Sequence, residues 1–269
     1  MTGPNRVSVD ELKTLVGTAR CPQLVDVRRD AVFKTAPTRI AGAVWHDHME
    51  AAQLPLGRDI IVYCVHGHNV SEIAAAKLRQ AGAVVRILEG GIAAFEAAGG
   101  PLVKMRSDLP GGLGAPSVWV TRTRPKIDRI ACPWLIRRFI DPRAVFHFVA
   151  AEWVNDIANE IGGIAYDIDG VFWSHRGETC TFDTMIAEYG LKSAALDKVA
   201  AIVRGADTAR LDLAPEAAGL LAISLGLSRI HQNDFEQLEA GMAVYDALYA
   251  WARDGQGETH NWPAAKSAS

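Results

Sequence analysis

The sequence predicts an α/β domain built on a parallel sheet with flanking helices, followed by a mainly helical α+β domain. Three observations carry this. Short, continuous apolar runs such as Leu24-Val25-Asp26-Val27 and Ile60-Ile61-Val62-Tyr63 alternate with helix-like segments over the first hundred residues, as in strands covered on both faces. A length of 269 residues favours two domains over one. Beyond a Gly- and Pro-rich stretch at 104–116, apolar residues recur mainly at helical spacing.

In chain order, Val9, Leu12, Leu15 and Val16 mark a helix face, with Ser8 as its N-cap. The runs at Leu24 and Ile60 are strands. Ser71 to Gln80 is an alanine-rich helix closed near Gly82. Val84 to Leu88 is a third strand, and Gly90-Gly91 opens a short helix that ends at Gly99-Gly100-Pro101. Val118 to Thr121 and Val145 to Val149 are strand candidates. Ile164 to Ile168 and Val171 to Ser174 flank Asp169-Gly170, a hairpin signal. Leu196, Val199, Ala200 and Val203 share one helix face. Pro215 suits the first turn of a helix running to about Leu225. Asp234 is placed to cap a long helix with Phe235, Leu238, Met242, Tyr245 and Tyr249 on one side. The expected division is 1–103, a linker at 104–116, 117–253, and a polar tail at 254–269.

The net charge of −3 gives the chain as a whole no electrostatic case for nucleic acid or membrane. No apolar run approaches the roughly 18 residues of a membrane helix, and Met1 to Asp10 lacks the apolar core of a secretory signal. Cys21, Cys64, Cys132 and Cys180 are far apart with no CxxC spacing, which fits reduced thiols and a cytoplasmic location.

Cys64 opens the loop Cys64-Val65-His66-Gly67-His68-Asn69-Val70-Ser71, between a buried strand and a helix. Such a loop turns backbone N–H groups inward, and the helix dipole adds partial positive charge. A thiol there has a lowered pKa, and the same amides stabilise a persulfide or an oxyanion. Gly67 permits the tight curvature. The alternative is a structural cysteine at a strand end.

Val7 to Val103 resembles the rhodanese family nearly end to end. The resemblance is carried by Val9-Asp10-Glu11-Leu12, Leu24-Val25-Asp26-Val27-Arg28, Ile40-Ala41-Gly42-Ala43, Val62-Tyr63-Cys64 and Leu88-Glu89-Gly90-Gly91-Ile92, in that order. It implies that Cys64 accepts sulfur from a small donor as a persulfide and passes it to a thiol or other nucleophile, with no cofactor required. Such loops often carry arginine at the first and fifth positions after the cysteine. Here Val65 and Asn69 stand there, which weakens the case for an anionic donor, and His66 and His68 are either a pH-dependent substitute charge or solvated loop residues. Phosphatases and arsenate reductases place arginine six residues after the cysteine, where this chain has Val70, so phosphoryl chemistry lacks its clamp.

The stretch from Arg122 to Arg143 is locally basic, with Arg122, Arg124, Lys126, Arg129, Arg137, Arg138 and Arg143 against Asp128 and Asp141. Three readings compete: an oxyanion site centred on Arg122, Arg124 and Arg129, a DNA contact, or a solvated, ion-paired face. Ile127, Ile130, Ala131, Trp134, Leu135 and Arg138 show helical spacing, which puts Trp134 in the core, and Pro133 starts or kinks that helix.

His175 ends a predicted strand, and Cys180 and Asp183, three apart, start the next helix. Imidazole, thiolate and carboxylate together suit a borderline metal such as zinc. The competing reading makes Asp183 or Thr181 a helix cap, Cys180 a small buried residue, and His175 a group satisfied by backbone.

From Ser117 to about Arg253 the chain resembles the C-terminal domain of chromate-resistance proteins, the type described as chromate-sensing regulators. The residues are Trp119 to Arg122, Lys126 to Asp141, His175 to Asp183, Ala206-Asp207 and Tyr245 to Tyr249. The resemblance adds Asp128 and Asp207 to the candidate metal set and makes chromate a candidate ligand. It implies a cytoplasmic chromate-stress protein with a sulfurtransferase module; the alternative is a chromate- or thiol-responsive regulator that binds DNA through the second domain.

Overall fold

The computed structural model describes residues 5–54, 59–105 and 115–258. The first half holds β1 (Arg6–Val7), α1 (Val9–Leu15), β2 (Gln23–Asp26), α2 (Asp30–Lys34), β3 (Thr38–Ile40), β4 (Val44–Trp45), β5 (Ile60–Tyr63), α3 (Asn69–Gln80), β6 (Val85–Leu88), α4 (Gly91–Ala97) and β7 (Leu102–Lys104). The second holds β8 (Val118–Arg122), α5 (Asp128–Leu135), β9 (Val145–Val149), α6 (Val154–Glu160), β10 (Ile164–Ala165), α7 (Thr181–Tyr189), α8 (Ala194–Asp207), α9 (Ala217–Ile230) and α10 (Asp234–Asp254).

Five parallel strands form the first sheet in the order β1-β6-β5-β2-β4. Its central strand β5 is buried at all four residues, which explains its unbroken apolar sequence. β3 and β7 pair antiparallel in a separate ribbon, Thr38 opposite Lys104. Lys104, the first residue of the expected linker, is thus the last residue of a strand; 106–114 lie outside the described residues, as does the tail from 259. Ser8 caps α1 as expected, its Oγ accepting from Glu11 N at 3.1 Å.

In the second half, β10, β8 and β9 form a three-stranded parallel sheet. The hairpin expected around Asp169-Gly170 does not form. β10 instead pairs with β8, and the return stretch touches only through one bridge between Tyr166 and Trp173. The buried stack of Trp119, Trp173, Tyr166 and Tyr189 explains why: Trp173 is drawn under the sheet as core rather than laid beside β10 as a strand. The long last helix is capped by Asn233, whose Oδ1 accepts from Phe235 N and Glu236 N, and not by Asp234, whose carboxylate accepts from Arg124 N. α9 runs to Ile230, past the expected end near Leu225.

Trp134 is fully buried, among Phe139, Phe182, Tyr245 and Tyr249. Pro133 sits inside α5, and the helix continues as a π-helical turn, Ile136–Ile140. That turn meets the first half. The Phe139 ring fills the space a Gly17 side chain would take, and Gly42 N donates to Phe139 O at 2.5 Å. Buried side chains of both halves form one continuous cluster. No helix of the described residues is long and apolar enough to cross a membrane.

Candidate functional sites

Cys64 follows β5 directly and is 7% exposed. Its loop is braced from behind by the Gly90-Gly91 turn: Ile92 N donates to Cys64 O and Ala93 N to Val65 O, both at 3.0 Å. A side chain at Gly91 would lie 2.4 Å from Cys64 O, and one at Gly67 would lie 2.4 Å from Leu88 O; both glycines also hold positive φ. The two glycine positions are therefore required by close approach of two backbones. Burial raises the Cys64 pKa, but the Ser71 hydroxyl and the amides of His68, His66 and Ser71 outweigh it and hold the thiol below its ordinary value. The Ser71 hydroxyl is buried, has no conventional hydrogen-bond partner, and is left facing the sulfur.

The other three thiols go the opposite way. Burial pushes Cys21 up to about 12, and burial with nearby carboxylates raises Cys132 and Cys180 well above the thiol range. Cys64 alone is tuned toward thiolate. His66, His68 and Asn69 are exposed at the loop mouth, the two rings 6.4 Å apart. His68 stands at the N-cap of α3 without a side-chain capping bond. The sequence reading placed Ser71 at the end of the loop but gave it no role at the sulfur; its place on the first turn of α3, where side chains lean back toward the N-terminus, was the available signal.

The second site lies where α5, α8 and the segment before α7 converge. His175 Nε2 is 3.5 Å from Asp128 Oδ2, 3.4 Å from Asp167 Oδ1 and 3.2 Å from Asp207 Oδ2. Asp128 is fully buried at the start of α5 and accepts from Thr181 N (2.6 Å) and Phe182 N (3.2 Å), the first amides of α7. Ile127 before it holds φ +44°, a rare conformation for a β-branched residue. The conformation is over-determined by neighbours: Ile127 N donates to Ser224 Oγ, and Tyr245 Oη donates to Ile127 O. Asp167, also at positive φ, accepts from Thr181 Oγ1 at 2.8 Å and pairs with Arg129 (3.3 Å) and Arg122 (3.6 Å). Hydrogen bonds to Asp167 and Asp207 raise His175 to about 10, while burial beside two further carboxylates raises Asp128.

Of the sequence-predicted metal set, the structure brings Asp128, His175 and Asp207 together and turns the other two away. Asp183 Oδ2 accepts from Cys180 N at 3.0 Å in a capping box, and its other oxygen pairs with Arg204 at 2.8 Å. Cys180 is the buried N-cap of α7. Asp167, missed because its segment reads as a hairpin strand, is the third carboxylate around His175. Of the three arginines expected to bind an anion, Arg122 and Arg129 reach this site through Asp167. Arg124 leaves it and donates to the carbonyls of Ser228 and His231. Arg137, Arg138 and Arg143 pair with Glu239, Asp246 and Asp141.

A parallel sheet with a cysteine loop between β5 and α3, braced by a Gly-Gly turn, defines a rhodanese-like fold. The family model described as the rhodanese-like domain matches residues 8–98, and the one described as ChrB, C-terminal domain, matches 119–252. The chain thus joins a rhodanese-like domain to a ChrB C-terminal domain. Protein ChrB of Cupriavidus metallidurans is 33% identical over 133 residues, 49% of this chain and 39% of that protein, so the chain spans well under half of its curated relative's length. Among solved structures, a rhodanese-related protein from Thermoplasma volcanium is 24% identical, with 37% of this chain and 97% of that one covered at a TM-score of 0.32. The Alr3790 protein from Anabaena sp. is 29% identical, with 37% and 82% covered at a TM-score of 0.32.

Proposed function

We propose that the chain is a chromate-stress protein whose rhodanese-like domain transfers sulfane sulfur through a persulfide on Cys64. The observation that carries this reading is the Cys64 environment: it is the one thiol of four held below its ordinary pKa, by an amide and hydroxyl cradle at the end of a buried strand. The Cys64 thiolate attacks the outer sulfur of a donor such as thiosulfate. A sulfur–sulfur bond forms at Cys64, the donor's own breaks, and sulfite leaves with the electron pair. The amides of His66, His68 and Ser71 then stabilise the persulfide anion. A nucleophile such as cyanide or a thiolate takes the outer sulfur, and the Cys64 thiolate is restored. The link to chromate rests on the similarity of the second domain to protein ChrB.

The test is thiocyanate formation from cyanide with thiosulfate or mercaptopyruvate as donor. Cys64→Ser abolishes it and Cys21→Ser leaves it intact. Turnover is slower with thiosulfate, because Val65 and Asn69 offer a dianion no fixed charge. A Cys64→Ser chain as active as the parent would remove the assignment.

A further inference from the structure

We propose that Asp128, His175 and Asp207 bind one borderline divalent cation of the Zn2+ class. One donor atom from each of the three lies within 4.8 Å of the others. The imidazole nitrogen stands 3.5 and 3.2 Å from the Asp128 and Asp207 oxygens. A tetrahedral ion with bonds of about 2.0–2.1 Å sets its ligands roughly 3.3 Å apart, so the side chains already stand near coordination spacing.

Charge points the same way. Asp167 has two guanidinium partners, Arg129 and Arg122. Among the described residues no Lys or Arg pairs with Asp128 or Asp207; one imidazole faces both, and Asp128 is wholly buried. Two carboxylates against a single imidazole, one of them out of water, is an arrangement that a divalent ion completes. The donors are also separately anchored, as a preformed site requires. Asp128 is held by the α7 amides, and Asp207 Oδ1 accepts from Asp128 N at 3.5 Å. His175 and Asp207 remain partly exposed, which gives an ion a way in and leaves a fourth coordination position toward solvent. One nitrogen and two oxygens suit Zn2+, and Co2+ reports the same geometry.

The experiment uses the full chain stripped with chelator and titrated with Zn2+ by calorimetry, then with Co2+ by visible absorption. The expected result is one saturable site per chain, intense tetrahedral Co2+ bands, and a Zn2+-dependent rise in Tm. His175→Ala and Asp207→Asn, chosen because Asp128 is too buried to replace safely, lose that site with unchanged far-ultraviolet circular dichroism. Asp183→Ala and a His66→Ala, His68→Ala double variant bind as the parent does. No saturable site in the parent overturns the proposal, as does a site that survives His175→Ala or disappears with His66 and His68.

Discussion

At the scale of single residues, Cys64 shows a sulfur held below its ordinary pKa with no arginine in its own loop. Four donors from three residues, Ser71, His68 and His66, offset the cost of burial. An acid whose folded pKa is depressed stays ionised to lower pH. Its contribution to stability is therefore present above the ordinary thiol pKa and is lost as pH falls through the folded one. The expected outcome for Cys64 alkylation by iodoacetamide is a rate that is half-maximal below the pH at which an ordinary thiol is half-ionised. Ser71→Ala moves that midpoint up. A parent midpoint at or above the ordinary value would show that the cradle does not favour thiolate. Cys64 was legible in the sequence because a strand-to-helix loop dictates where amides point. The role of Ser71 was not, because a serine where a loop enters a helix does not by itself show that its hydroxyl turns toward the sulfur. Asp128 and Asp207 came from family motifs, whereas Asp167 became visible only when the chain brought it beside His175.

At the scale of elements, the central parallel strands were legible because they are buried on both faces, so β5 is apolar throughout and β2 carries the buried pair Leu24-Val25. β1 and β4, two residues each, are too short to leave a pattern. The missed hairpin has a different cause. Asp169-Gly170 has the right turn chemistry, but burial of Trp173 against Trp119 and Tyr189 outweighs strand pairing of the return stretch. The Gly90-Gly91 turn does more than open α4: it is the floor under the Cys64 loop. Gly91→Ala puts a methyl group 2.4 Å from Cys64 O and 2.5 Å from Val65 O, at a φ of +60°. Neither backbone can yield without moving the cradle. The variant is expected to lose about 1–3 kcal/mol of stability, read from urea midpoints. It is also expected to lose most of the thiocyanate-forming activity. Full activity at unchanged stability would mean that the loop does not depend on this floor.

At the scale of the whole molecule, the two halves are tied by buried contacts. The Phe139 ring packs on Gly17, and Gly42 donates to the Phe139 carbonyl. Arg39, buried in the first half, donates to Ile140 O at 3.0 Å in the second. At the far end, Arg253 of α10 donates to the carbonyl of Thr14 in α1 at 3.0 Å. Sequence composition points to 104–116 as the boundary, yet composition cannot reveal that Phe139 docks the halves. The consequence is specific. A protease site introduced within 106–114 and cut to completion should leave two fragments that still elute together on size exclusion. Phe139→Ala removes a fully buried ring, a change worth about 3–5 kcal/mol in ordinary cores, and should let the cut halves separate. If the parent fragments separate as readily as those of the variant, the shared core is not what joins them. Covalent continuity through the linker would then hold Cys64 and His175 in one molecule, and the thiol chemistry and the carboxylate–imidazole site would have to be treated as two independent proteins.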